Sequence, residues 1–147
     1  MQSFPHLYHT RAAGRPDGEV VVEGSGLPGM AIAPPAEFDG PGDHWSPETL
    51  LAGAVAACFI LTFRAVARAS RLEWTDLVCE VEAKLDRVER ETRFTEVLVR
   101  AILEVPAGVS AERAERILEK SEQSCLITRS LRAEVHFEAH VHAAVAA

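Results

Sequence analysis

The sequence has little that would carry it into a bilayer, onto a polyanion or into a disulfide scaffold. Its longest apolar run, Leu50 to Phe63, is interrupted by Gly53 and Thr62 and stopped by Arg64, short of the roughly 20 residues a bilayer core requires. No membrane span is expected. Positive charge is scarce: 15 Lys plus Arg against 22 Asp plus Glu leave a formal net charge of −7, which disfavours attraction to phosphate backbones and anionic lipid. Nucleic acid and membrane are therefore not expected partners. The start, Met1-Gln2-Ser3-Phe4-Pro5, lacks the basic and apolar regions of a secretory leader, so a cytoplasmic location is expected. Cysteines number 3, too few and odd in number for a disulfide framework. In a reducing compartment such thiols either pack or do chemistry. There is no HExxH, no paired CxxC, and no GxGxxG or GKS/GKT phosphate loop, so nucleotide chemistry is unsupported.

What is present reads as one soluble domain spanning residues 1–147, with 48% hydrophobic and 25% charged residues. Residues 6–33 predict three short strands, at His6–Thr10, Glu19–Glu23 and Met30–Ile32, the first two joined through the Pro16-Asp17-Gly18 turn. Pro34 to Trp45, rich in Pro and Gly, predicts a surface connection. Ser46-Pro47-Glu48 predicts a helix start, with Ser as cap, Pro at the first position and a carboxylate at the positive end of the dipole. Leu51, Ala54, Val55, Cys58, Leu61, Ala65 and Val66 then predict an apolar stripe running to about Ser70, with Arg64, Arg68 and Arg71 on a second face. Two alternating strands follow, with Cys79, Val81, Ala83 and Leu85 inward on one and Val97, Val99, Ala101, Leu103 and Val105 inward on the other. They are expected to pair through a turn at Arg90 to Arg93. Ser110 caps a second helix carrying Ala114, Ile117 and Leu118, and a last strand runs from Ala133 to about His142. The fold class is α+β, in the order βββ-α-ββ-α-β.

Cys58 lies mid-helix on the apolar stripe beside Ala56 and Ala57, Cys125 near the end of the second helix after a polar run, and Cys79 on an inward strand face. Each can be read as a small buried hydrophobe, and for Cys79 that reading suffices. A reactive thiol needs its anion stabilised by a cation, a metal or a helix N-terminus. Cys58 is remote from both ends of its own helix, so a cation from elsewhere is expected. Arg15, in the tight Gly14–Gly18 turn, is the first candidate and Arg11 the second. Glu48 is ten residues from Cys58, about 15 Å along a continuous helix and about 80° around it. It can join a Cys58 site only if the helix breaks or if two chains interleave. A rival site is the parity shared by Glu134, His136, Glu138, His140 and His142. That face could hold a metal, although a solvated strand face accounts for it more simply.

Ser46-Pro47-Glu48-Thr49-Leu50-Leu51, then Ala56-Ala57-Cys58-Phe59, then a second cysteine near the end of the next long helix, resemble the OsmC/Ohr family of thiol peroxidases. Leu7-Tyr8 and Gly14-Arg15-Pro16-Asp17-Gly18 resemble its organic hydroperoxide resistance branch. The resemblance implies an intertwined homodimer, with a long helix from each chain packed between sheets and a site at each end of the interface. It implies Cys58 as the peroxide-attacking cysteine, Cys125 as the resolving cysteine, Glu48 as the carboxylate partner and Arg15 as the arginine. It also implies no metal or organic cofactor, an organic hydroperoxide substrate and a small or protein-bound dithiol reductant. The chain departs from the family in two places. Leu126 follows Cys125 where members often have Pro, and Pro16 separates Arg15 from Asp17. Apolar residues Leu51, Phe59, Phe38 and Trp45 are expected to line the site for an alkyl peroxide. The alternative is a non-catalytic dimer on the same fold that senses oxidants or binds a small apolar ligand.

Overall fold

The computed structural model describes residues 1–146; Ala147, the last residue of the expected domain, lies outside the described residues. The elements are β1 (Thr10–Ala13), β2 (Val20–Gly24), β3 (Met30–Ile32), α1 (Pro47–Ala69), β4 (Asp76–Val88), β5 (Glu91–Val105), α2 (Ala111–Gln123) and β6 (Glu134–Ala143). This is the expected α+β order. Two compact units result, one comprising Met1–Leu51 and the other beginning at Ala52.

The first unit is an antiparallel sheet, β1-β2-β3. Gly18 closes the β1–β2 turn at φ 93°, the left-handed backbone that glycine adopts without penalty. Pairing runs from Ala13↔Val21 to Thr10↔Gly24. Residues 6–9, expected as strand, therefore lie past the end of β2, and a strand exists only where a ladder partner does. The Pro34–Trp45 connection is ordered: Ala36–Phe38 form a 3-10 turn, and the N–H of Ala33 donates to the Trp45 carbonyl at 3.1 Å. Gly40 is obligatory there, because a Cβ would lie 1.7 Å from the Pro34 carbonyl oxygen. Ser46 and Thr49 then cap α1 reciprocally: Ser46 Oγ accepts the Thr49 N–H at 3.1 Å and Thr49 Oγ1 accepts the Ser46 N–H at 2.8 Å.

The second unit is the sheet β4-β5-β6 with α1 and α2 packed on its apolar face. β5 pairs antiparallel with β4 and parallel with β6, and α2 makes the crossover that a parallel pair requires. The β4–β5 turn falls at Glu89 and Arg90, with φ of 50° and 71°, not at Arg90 to Arg93. Left-handed backbone at both central positions is the hairpin geometry that twisted strands favour, and without Gly or Asn the sequence carried no signal for it. Val97, Val99, Ala101, Leu103 and Val105 are all buried, as the period-two pattern requires. On β6, Val135, Phe137, Ala139 and Val141 pack on the core, and the side chains of His136, His140 and His142 are about half exposed.

The expected stripe on α1 is corrected. The buried residues are Val55, Phe59, Phe63 and Ala67, spaced by four, while Leu61 is 61% exposed and Ala54 and Ala65 are exposed. The helix is apolar nearly all round, so periodicity could not single out the face that packs. Its 23 residues, with mean hydropathy 2.1 in the most apolar window, are by length and composition enough to cross a membrane. The interrupted run at Leu50–Phe63 had read as too short.

Candidate active site

α1 and the segment after α2 place Cys58 and Cys125 near enough for each to shift the ionisation of the other. Both are free thiols; Cys58 is half-buried and Cys125 is fully buried. Burial pushes the Cys58 thiol up. The N–H of Ile127, the Cys125 thiol, the Thr62 hydroxyl and the N–H of Leu126 together outweigh it and hold Cys58 below its ordinary value of 9.0. Thr62 lies one helical turn along α1, its hydroxyl 3.9 Å from the sulfur. Cys125 moves the other way: burial raises it, the Thr128 N–H lowers it, and the hydrogen bond to Cys58 raises it further, for a net rise. Hydrogen bonds to the charged form favour ionisation and those made by the neutral form oppose it. The pair is therefore asymmetric: Cys58 gives up its proton more readily than Cys125 does.

Within one chain no cation is among the groups that shift Cys58. Every group that lowers Cys58 is a neutral dipole, and two of them are main-chain N–H groups of a turn distant in sequence. The reading of Cys58 as remote from a helix end was right for its own helix and silent about this turn, which tertiary packing delivers. Leu126-Ile127-Thr128, just after a cysteine, was the only available signal, since nothing but proline lacks the N–H. Cys79 is pushed up to about 12 by burial, with the charges of Cys125 and Glu80 adding to the rise. Its thiol stays protonated at neutral pH, so this half-buried residue packs against the core without being reactive.

Arg15 and Glu48 are not brought together within the first unit. Arg15 borders an open groove with Ala13 and Val21, whereas Glu48 borders a cavity with Ala12, Val20 and Val22, the opposite parity of the same hairpin. Among the described residues, Glu48 Oε2 is buried with no hydrogen-bond partner, a costly state for a carboxylate oxygen. Arg11, the second candidate, pairs with Glu23 at 3.2 Å on the surface. The cavity beside Glu48, about 490 Å³, is otherwise lined by apolar groups including Ile32, Pro35, Phe38 and Leu50. Of the apolar residues expected around the site, Phe38 lines this cavity, Leu51 and Trp45 are not among its lining residues, and Phe59 is buried in the core of the second unit.

His44, which sequence reasoning passed over, is clamped between two carboxylates. Its Nδ1 lies 2.6 Å from Asp43 Oδ1 and its Nε2 lies 2.8 Å from Glu19 Oε1, tying the Pro34–Trp45 connection to the start of β2. The hydrogen bonds to Asp43 and then Glu19 raise His44 above its ordinary 6.5. A raised histidine stabilises the fold below its unfolded value and loses that contribution as pH rises through the folded one. Hydrogen exchange of residues 34–45 should therefore be slower at pH 6 than at pH 9 after correction for intrinsic rate. His44→Gln should abolish the difference, and an unchanged difference in that variant would remove His44 as the cause.

No group of three or more His, Cys, Asp or Glu suited to a metal occurs among the described residues. On the outer face of the second sheet the histidines lie beside carboxylates instead, as His142 Nδ1 does at 3.2 Å from Glu104 Oε1.

The sequence profile of the OsmC-like protein family matches residues 40–140. The chain is 30% identical over 111 residues to the uncharacterized protein YmaD of Bacillus subtilis, covering 74% of each. Its fold is similar to the solved structure of an organic hydroperoxide resistance protein OsmC from Legionella pneumophila, at TM-score 0.74 and 26% identity, over 95% of this chain and 98% of that one. It also resembles an OsmC-like protein of unknown function from Vibrio cholerae, at TM-score 0.82 and 14% identity, over 92% and 99%. An organic hydroperoxide resistance protein from Elizabethkingia anophelis is similar at TM-score 0.77 and 21% identity, over 97% and 100%. With a profile match across residues 40–140, more than two thirds of its length, the chain belongs to the OsmC-like family.

Proposed function

We propose that this protein is a cysteine-based peroxidase that reduces organic hydroperoxides to alcohols and is recharged by an external dithiol. What carries the reading is the asymmetric thiol pair: a half-buried Cys58 whose ionisation is favoured, beside a buried Cys125 whose ionisation is opposed. The similarity to the Legionella pneumophila organic hydroperoxide resistance protein supports it.

The Cys58 thiolate attacks the distal oxygen of ROOH. The S–O bond forms as the O–O bond breaks, and the alkoxide takes a proton to leave as ROH, with sulfur oxidised to the sulfenic acid. Cys125 then attacks that sulfur, forming the disulfide and releasing water. An external dithiol opens the disulfide by two exchanges and leaves as its own disulfide.

Arg15 and Glu48 enter from a second chain. On the unbroken α1, Glu48 stands about 15 Å along the axis from Cys58 of its own chain, which favours a homodimer in which one chain's Arg15 and Glu48 serve the other's thiols. There the Arg15 guanidinium would offset charge on the departing alkoxide. A second copy would also cover the exposed apolar residues Ala54, Ala57 and Leu61 of α1, making α1 a core helix of a soluble dimer whose 147-residue chains each act as one domain. Three free thiols suit a reducing cytoplasm. The apolar cavity beside Glu48 suits an alkyl group. The same cavity favours the second reading, a dimer that binds an apolar ligand or senses oxidants without turnover.

One equivalent of cumene hydroperoxide should convert Cys58 and Cys125 to a disulfide far faster than free cysteine reacts, leaving Cys79 alkylatable, as peptide mass spectrometry after quenching would register. Oxidation no faster than free cysteine, or a disulfide involving Cys79, would rule the peroxidase reading out in favour of the second.

A further inference from the structure

Residues 34–45 leave the first sheet after Ala33 and return to it at Trp45, where the Ala33 N–H donates to the Trp45 carbonyl at 3.1 Å and Ile32 forms a parallel bridge with Trp45. Between those ends the connection is bonded mainly to itself. Phe38 and Gly40 donate to the Pro35 carbonyl at 2.9 and 3.0 Å, and Asp39 donates to the Ala36 carbonyl at 3.1 Å. With Gly40 pressed against Pro34, residues 34–40 form a stiff tip, and Gly42 follows at φ 77°, backbone that glycine adopts at little cost. Pro34, Pro35 and Phe38 of the tip make one wall of the cavity of about 490 Å³, and Ala12, Val20 and Val22 of the hairpin make another. Packing holds the tip weakly, since Phe38 is 54% exposed. Among the described residues, the polar side-chain tie from the connection to the hairpin is His44, with Nε2 2.8 Å from Glu19 Oε1 and Nδ1 2.6 Å from Asp43 Oδ1. Glu19 immediately precedes β2, so the tie fastens the connection to a strand that lines the cavity.

We propose that residues 34–45 are a lid on this apolar cavity and that His44 is its latch: with a proton on each ring nitrogen it holds both carboxylates, and loss of one proton frees the lid to admit an apolar ligand. The chemistry is a matter of donor count. Imidazolium donates from both nitrogens, whereas neutral imidazole has one N–H and turns a lone pair toward the other carboxylate, itself only an acceptor. One of the two contacts is then lost. Asp43 and Glu19 are the charged groups that act on His44, and both hold its proton above the ordinary 6.5, so release comes on the alkaline side of that value. The clamp is exposed to solvent, which keeps the latch weak enough to open: ion pairs of this kind shift an equilibrium by up to about fivefold. The inference rests on the reading of the cavity as the seat of an apolar group, and it holds whether that group belongs to a peroxide or to a ligand that does not react.

The test uses the reduced full chain and N-phenylnaphthylamine, a neutral apolar fluorophore, with the methyl resonances of Val20, Val22 and Leu50 reporting that the probe sits in the cavity. From pH 6 to pH 9 its association rate in stopped flow should rise by about two- to fivefold, with a midpoint equal to that of the His44 ring resonances. His44→Gln should associate at the fast rate throughout; it keeps Cys58 and Cys125, so thiol ionisation is excluded as the cause. Glu19→Gln, which removes one of the two carboxylates, should flatten the profile as well. A wild-type rate that does not change with pH, or a pH dependence that persists in His44→Gln, overturns the latch while the cavity reading stands. Methyl resonances that stay fixed at every pH remove the cavity reading and this inference together. A pH-gated probe in a protein that does not reduce hydroperoxides leaves the inference standing and removes only the peroxidase reading.

Discussion

Under the proposed peroxidase reading, Cys58→Ser should abolish hydroperoxide reduction, with an expected loss of about 10³-fold or more in kcat/KM for cumene hydroperoxide measured in a dithiol-coupled assay. The size follows from chemistry. A serine hydroxyl is not ionised at neutral pH and is a poor nucleophile toward peroxide oxygen, and neither remaining thiol can substitute. Cys125 is held protonated by burial and by its hydrogen bond to Cys58, and Cys79 is pushed up to about 12. Reactivity belongs to the thiolate. Cys125→Ser should behave differently: the first equivalent of peroxide is still reduced, the Cys58 sulfenic acid accumulates to react with dimedone, and multiple turnover slows. If Cys58→Ser and the wild type consumed hydroperoxide at the same rate, no thiol mechanism would survive. If Cys125→Ser turned over like the wild type, the disulfide step would have to be dropped.

Phe63→Ala lowers unfolding stability by about 3–5 kcal/mol, the range for removing a fully buried aromatic from a core that cannot collapse around the gap. Phe63 is 0% exposed and meets Trp74 edge-on with ring centroids 5.3 Å apart, a contact worth about 0.5–1.5 kcal/mol beyond burial. Urea unfolding followed by circular dichroism gives the value. A loss below about 1 kcal/mol would mean that α1 does not anchor the second unit through this face. Leu61→Ala makes the contrast: its side chain is 61% exposed within one chain, so truncation should change the stability of an isolated chain little. In the proposed dimer it should weaken association, read as a concentration-dependent shift in sedimentation.

Where a single period dominated, the elements were legible in the sequence. The alternation of Val97 to Val105 and of Val135 to Val141 marked buried strand faces that the structure buries, and Ser110 caps α2 with its Oγ accepting the Arg113 N–H at 3.2 Å. Legibility failed where the pattern was saturated or the cue was missing. On α1, apolar residues on every side left Phe59 and Phe63 indistinguishable from Leu61. At Glu89-Arg90, a turn formed without turn residues because the pairing of long flanking strands outweighs the cost of two left-handed residues. Of the candidate site, the sequence offered Cys58 and Cys125 as candidates through their resemblance to a family motif. The donors that lower Cys58, the amides of Leu126 and Ile127, were not legible there, because every residue but proline carries the same N–H and only its direction matters.

The sequence by itself determined the order of elements and the inward faces of β5 and β6, since these depend on side-chain period and on motifs local in the chain. Only the tertiary structure decided which face of α1 packs, that Arg15 and Glu48 stay apart on opposite faces of one hairpin, and that main-chain dipoles lower Cys58. Each of those is a matter of where groups remote along the chain meet and point, and hydrogen bonding and burial act on distance and direction, which residue identity does not encode.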